Sequence, residues 1–140
     1  ELEQYDSLRR DVFVKEQKLF AESDRDQYDA YALPIIAKAT GSGQVVGTAR
    51  CYPVAENVWV GGRLTVCKTH RGRLGSQLVR GAVKIMRDRG CRDFSAYIQI
   101  QNVGFFEHLG WTKMGESVMY HGVCHEKMTI AMHPLEENKE

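Results

Sequence analysis

The stretch Thr69-His-Arg-Gly-Arg-Leu-Gly-Ser76 is short, basic and glycine-containing, and it opens directly into apolar residues at Leu74, Leu78, Val79, Ala82, Val83, Ile85 and Met86. Their spacing of three and four predicts an amphipathic helix that ends near Gly90. N–H groups in the first turn of a helix have no partner inside it, and the helix dipole adds partial positive charge there. A glycine-containing loop lets such groups close around a phosphate. Arg71 and Arg73 add two full charges. The stretch is not a P-loop, because the Gly-x-x-x-x-Gly-Lys-Ser/Thr pattern is absent. The plainer alternative is a basic turn that only caps a helix.

A second group of residues could bind metal. Cys67 and His70 are three apart, and His121, Cys124 and His125 form another cluster. Both lie in strand-like or turn-like sequence, and their spacing matches no standard zinc knuckle, so no metal site is expected. With Cys51 and Cys91 the cysteines number four, and none forms a Cys-x-x-Cys pair. A domain of this size does not need disulfide staples, so the expectation is reduced thiols in a cytoplasmic protein.

The elements that would position the basic loop follow from periodicity. Leu2, Tyr5, Leu8, Val12 and Phe13 recur at helical spacing, which predicts a first helix over about 3–16. Ala21 to Asp29 carries Glu22, Ser23, Asp24, Asp26 and Asp29 and reads as an exposed acidic loop. Pro34 to Thr40, the turn Gly41-Ser-Gly43, and Val45 to Cys51 read as strand, turn, strand. Val58 to Lys68 is a third strand interrupted by Gly61-Gly62, which signals a bulge or a close backbone approach. After the basic loop and its helix come a strand at Phe94 to Ile100 and a short helix at Asn102 to Leu109 stopped by Gly110. Two last strands follow, Trp111 to Tyr120 and His125 to Met132. The order is helix, three strands, helix, strand, helix, two strands.

The 140 residues show no repeat, low-complexity segment or linker, so a single domain over 1–140 is expected. Hydrophobic residues make up 43% and charged residues 26%, the balance of a globular protein. A formal net charge of +1 argues against a nucleic-acid partner. No apolar run approaches the ~18 residues that would span a membrane, and no signal-peptide pattern is evident.

Several segments together carry a resemblance. Gly62-Arg-Leu-Thr-Val-Cys-Lys-Thr-His-Arg-Gly-Arg-Leu-Gly-Ser-Gln-Leu-Val79 resembles the acetyl-CoA-binding segment of the GNAT superfamily of N-acetyltransferases. Asn102-Val-Gly-Phe-Phe-Glu-His-Leu-Gly-Trp111 is similar to that superfamily's next signature. Val12-Phe-Val-Lys-Glu-Gln17 and Gly122-Val-Cys-His-Glu-Lys-Met128 resemble two segments of its ElaA-like subgroup. The likeness runs from about 8 to 132, nearly the whole chain.

The resemblance implies an α+β fold: a mixed, mostly antiparallel sheet flanked by helices, with two splayed strands holding the cofactor. It implies acetyl transfer from acetyl-CoA, a cosubstrate, to a primary amine, with no metal. The main chain of Leu64, Thr65 and Val66 would face the pantetheine arm and the thioester carbonyl. Arg71, Gly72, Arg73, Leu74, Gly75 and Ser76 would hold the pyrophosphate, and Asn102 and Phe106 would lie beside the arm near the thiol.

Two departures stand out. The superfamily loop usually reads Arg/Gln-x-x-Gly-x-Gly/Ala. Counted from Arg71, Leu74 and Ser76 replace its glycines; counted back from Gly75, His70 replaces the Arg/Gln and Arg73 the first glycine. Phe106 stands where many relatives carry a tyrosine able to protonate the departing thiolate. For acid–base work the candidates are Glu16, Tyr120 and His125; Cys124 is set aside as a nucleophile because adjacent strand residues face opposite ways. Small-molecule and peptide amines both stay open as acceptors, and a homodimer stays open as the assembly. A domain that binds acyl-CoA with little turnover, as a sensor or interaction module, is the alternative function.

Overall fold

The computed structural model describes residues 2–16, 27–67, 69 and 72–132. Helix α1 (Leu2–Arg10) continues as a π-helical stretch, Asp11–Glu16. A 3-10 turn at Gln27–Ala30 precedes three strands, β1 (Leu33–Lys38), β2 (Val45–Ala55) and β3 (Val58–Val66). Helix α2 (Arg73–Asp88) and β4 (Asp93–Gln99) follow, then a 3-10 turn at Ile100–Asn102 that leads into α3 (Val103–His108). β5 (Thr112–Tyr120) and β6 (Val123–Ile130) close the described chain. The six strands make one mixed sheet in the order β1-β2-β3-β4-β6-β5. The β3–β4 pairing is parallel, whereas β1–β2, β4–β6 and β5–β6 are antiparallel. This is the expected fold class and the expected order of elements.

The chain gathers into two compact units. The first holds Glu1–Tyr52 with Arg63–Val79 and the second holds Pro53–Gly62 with Arg80–Glu140. In the first unit α1 buries Tyr5 and Arg9, and the π-helical stretch buries Val12 and Phe13, while Leu2 stays 63% exposed. Val12 and Phe13 are consecutive and both buried. A π-turn shifts the phase of the helix, so the single helix expected over 3–16 becomes two geometries. Gln4 reaches β2, where its side-chain oxygen accepts the N–H of Val45 at 2.8 Å.

Arg9 is the residue that hydrophobic periodicity did not reveal. Its guanidinium is fully buried and donates to Asp29 Oδ1 at 2.7 Å, Asp29 Oδ2 at 3.2 Å and the Tyr5 hydroxyl at 2.9 Å. Arg50 of β2 meets the same carboxylate at 3.0 Å. Asp29 was expected on an exposed acidic loop, yet its side chain is 3% exposed. Burial costs an ion too much unless it is paired, and here one carboxylate is shared by two buried arginines. The rest of that loop, 21–26, lies outside the described residues. The Tyr28 and Tyr52 rings stack at 4.2 Å, and the Arg50 guanidinium lies 5.9 and 5.2 Å from their centroids. Burial pushes the Tyr5 phenol above its usual range, against the lowering effect of Arg9.

In the second unit, Phe94, Ala96 and Ile98 on β4 and Met128 on β6 form the buried face of the sheet. Trp111, which precedes β5, sets its ring 5.4 Å from Phe94 and 5.5 Å from Phe106. The α2 stripe is buried at Leu78 and Val79 in the first unit and at Ala82, Val83 and Met86 in the second, whereas Ile85 is 37% exposed. β5 ends at Tyr120 as expected, and β6 starts at Val123 and not at His125 because a two-residue turn, His121-Gly122, joins the strands. Both turn residues have positive φ, 50° and 76°, the geometry of a type I′ hairpin.

Removing the shared carboxylate tests the buried ion cluster. Asp29→Ala leaves two buried arginines without it and should cost about 3 kcal/mol or more. Denaturant unfolding that showed a loss below about 1 kcal/mol, the range of an exposed pair, would contradict that weight.

Candidate active site

The first unit supplies a strand, a loop and a helix start. The parallel ladder of β3 with β4 pairs Val58 with Asp93 and ends at Gly61 with Ala96. β3 runs on to Val66. Just past the end of the ladder Arg63 has φ +52°, a left-handed conformation rare for a side-chain-bearing residue. β3 runs unbroken through Gly61 and Gly62, and a Cβ at Gly62 would meet nothing within 4 Å, so the irregularity expected at the two glycines falls instead on Arg63. The Arg63 guanidinium lies 5.8 Å from the Phe13 ring centre. Thr65 is 2% exposed, and its hydroxyl is hydrogen-bonded to that of Thr48, which is fully buried. The Cys67 N–H donates to Val46 O at 2.8 Å. These bonds tie the last residues of β3 to β2, with Leu64 and Val66 half-buried on either side of Thr65.

Helix α2 starts at Arg73, directly after Gly72 at φ +122°, a conformation in which a side chain would be strained. The amides of this first turn lack intrahelical partners, and no acidic residue stands in the turn to oppose an anion. Ser76 donates its hydroxyl to the Arg73 carbonyl at 2.9 Å. Gly75 and Ser76 are half-buried, and Gly72 and Arg73 are exposed. The helix sits close on β2: a Cβ at Gly47 would come within 2.6 Å of Leu78 Cδ1 and 3.3 Å of Leu74 Cδ2. Leu74, which replaces a loop glycine in one alignment, thus turns toward the sheet. His70 and Arg71 lie outside the described residues, as does the side chain of Glu16, whose backbone ends the π-helical stretch.

The second unit brings Tyr120 and His125 together. Their rings stand 5.6 Å apart at 88°. His125 is 5% exposed and lies on the sheet face opposite Phe94, Ala96 and Met128, paired across strands with Gln99 and Val118. Its Nδ1 is 2.8 Å from the Val123 carbonyl oxygen. A carbonyl can only accept, so Nδ1 carries the hydrogen, and in the neutral ring the lone pair is on Nε2. The ring makes no other hydrogen bond among the described residues. Cys124 next to it is exposed, as alternation along a strand requires. Among the described residues no three His, Cys, Asp or Glu converge as metal ligands.

Asn102 is exposed and precedes α3 with no side-chain capping bond. Phe106 on α3 is 7% exposed, with its ring edge-on to Phe105 and Trp111. Its side chain is part of the second unit's core.

A profile of the acetyltransferase (GNAT) family matches residues 2–111, which include this strand, loop and helix start. The chain belongs to the acetyltransferase (GNAT) family. Among its relatives, YyaT of Bacillus subtilis (strain 168) is 28% identical over 124 residues, 87% of this chain and 83% of that protein. Two solved structures share the fold. An acyl-CoA N-acyltransferase from Pseudomonas aeruginosa superposes with a TM-score of 0.80 at 24% identity, over 94% of this chain and 90% of the other. ElaA of Escherichia coli superposes with a TM-score of 0.79 at 23% identity, over 92% and 88%. The GNAT chemistry is acyl transfer from a CoA thioester. Among the described residues, no helix of this GNAT protein is long and apolar enough to cross a membrane.

No periodic signal in the sequence marks the Arg9–Asp29–Arg50 cluster. His121 stands out in the sequence only beside Cys124 and His125, whereas its place before a glycine between two strand patterns is the signal of the hairpin turn it occupies.

The cysteines offer a direct check on the burial pattern. Burial pushes the Cys91 thiol above its usual range, and Cys91 donates to Asp93 O at 3.3 Å. Thiolate is the reactive form, so alkylation of the folded protein should modify exposed Cys124 first and Cys91 and Cys51 last, as peptide mass spectrometry would show. Modification of Cys91 ahead of Cys124 would contradict the placement of β4 and β6.

Proposed function

We propose that this protein transfers an acetyl group from acetyl-CoA to the primary amine of a small molecule or peptide, by direct attack in a ternary complex. The observation that supports it most is the α2 start: an acid-free helix N-terminus behind a left-handed glycine, following a strand that has left its ladder. The pyrophosphate would rest on the amides and charges of Arg71 to Ser76, and the pantetheine arm along the main chain of Leu64, Thr65 and Val66. Asn102 and Phe106 keep the supporting roles that the family likeness gives them. Among the described residues Cys51, Cys67, Cys91 and Cys124 form no disulfide, which fits a reducing cytoplasm.

The chemistry balances with few groups. The amine nitrogen attacks the thioester carbon and a C–N bond forms. A main-chain N–H on β3 stabilises the oxygen that gains charge. One amine proton passes to a base, the tetrahedral intermediate collapses, and the C–S bond breaks. His125 Nε2 is the candidate base, because the Val123 carbonyl holds the hydrogen on Nδ1 and leaves the lone pair on Nε2. Glu16 is the alternative base. The leaving thiolate has an ordinary pKa of about 8.5, so it departs without obligatory help. Phe106 cannot supply a proton; the Tyr120 hydroxyl can.

Two variants separate the binding and chemical halves of this reading. Gly75→Val blocks close approach to the helix start and should weaken CoA binding about tenfold or more by calorimetry, equal to about 1.4 kcal/mol. His125→Gln should leave CoA binding intact and lower kcat by ~10²–10⁴, measured as CoA release with a panel of amines. Unchanged CoA affinity in Gly75→Val would overturn the loop assignment. Tight CoA binding by the unaltered protein with no CoA release across the panel would favour the sensor.

A further inference from the structure

Building on the acyl-transfer reading above, we infer that His121 is a positioning residue whose imidazole holds the Tyr120 ring in place against His125. Tyr120 is the last residue of β5, a strand at the sheet edge whose residues from Thr112 to Met119 are all exposed. Met119 before it is 67% exposed and Val118, its neighbour on the same face, 43%. Two imidazole rings stand edge-on to the Tyr120 ring. The His121 ring centre lies 4.5 Å away at 86°, and that of His125 5.6 Å away at 88°. Exposure falls along the series, from exposed His121 through half-buried Tyr120 to buried His125.

The backbone shows why the first of these residues need not be histidine for folding. His121 and Gly122 have φ of 50° and 76°, and Tyr120 pairs with Val123 across the turn. Such a turn prefers Asn-Gly or Asp-Gly. Histidine is among the residues that enter the left-handed region comparatively often, so the turn tolerates it without requiring it. Edge-on aromatic contact of this kind can shift a rotamer population roughly tenfold. A tyrosine hydroxyl displaced by about 1 Å from a departing thiolate can cost on the order of a hundredfold in rate.

The test compares His121→Asn, which suits the turn and removes the ring, with His121→Phe, which restores a ring without an ionisable group. His121→Asn should melt at or above the wild-type temperature. Its kcat with acetyl-CoA and an accepted amine should fall roughly 10- to 100-fold, with KM for acetyl-CoA unchanged. His121→Phe should recover most of kcat. Proton NMR gives a readout independent of the acceptor: in His121→Asn the Tyr120 ring resonances and His125 Hε1 should shift while the β6 amides stay put. Wild-type kcat and unmoved ring resonances in His121→Asn would overturn the inference, and so would His121→Phe no more active than His121→Asn. His125→Gln separates the two readings. Full activity in that variant sinks the base assignment itself, whereas an inactive His125→Gln beside a fully active His121→Asn sinks only the positioning role.

Discussion

A strand that leaves its ladder must find other partners for its N–H and C=O groups. β3 does this at a defined point, where pairing with β4 ends at Gly61 and Ala96 while β3 continues to Val66. Arg63 takes a left-handed φ there. Beyond it, the Thr48–Thr65 hydroxyl pair and the bond from Cys67 N–H to Val46 O fasten the strand to β2. The helix that follows opens with amides that its own geometry leaves unpaired. In the proposed function the phosphates of a CoA thioester would accept from the helix start, and its amide-bearing arm would lie along the strand backbone. The proposed chemistry is thus a consequence of where one ladder stops.

The first unit is held by an interaction of a different kind. Asp29 joins Arg9 of α1 to Arg50 of β2 through contacts of 2.7 and 3.0 Å, all nearly free of solvent exposure. Such a cluster stabilises by geometry more than by net energy, because desolvation takes back much of the Coulomb gain. Its effect is to fix the 3-10 turn at Gln27–Ala30 against the helix and the strand. Gly47 serves the same unit through its lack of a side chain, which lets Leu78 and Leu74 of α2 close onto β2.

Most of the architecture was legible because it is periodic. The α2 stripe and the order of elements follow from apolar spacing. The loop's placement at a helix start was legible for the same reason. What escaped was non-periodic. Nothing in the spacing of Arg9, Asp29 and Arg50 marks them as one buried cluster, since they come together only when three separate elements fold. Tyr120 and His125 were singled out for their chemistry, and the hairpin that sets their rings 5.6 Å apart depends on the left-handed backbone of His121. The packing of Phe106 edge-on to Trp111 is equally non-periodic.

In the proposed function the end of β3 and the start of α2 bind a CoA thioester through main-chain groups. Backbone amide NMR during titration with acetyl-CoA tests it most directly. The account predicts that the largest shifts fall on Leu64 to Val66 and on Gly72 to Ser76, and that desulfo-CoA, which retains the pyrophosphate, reproduces those at Gly72 to Ser76. Saturable acetyl-CoA binding with these amides unmoved, and shifts gathered elsewhere in the sheet, would contradict it.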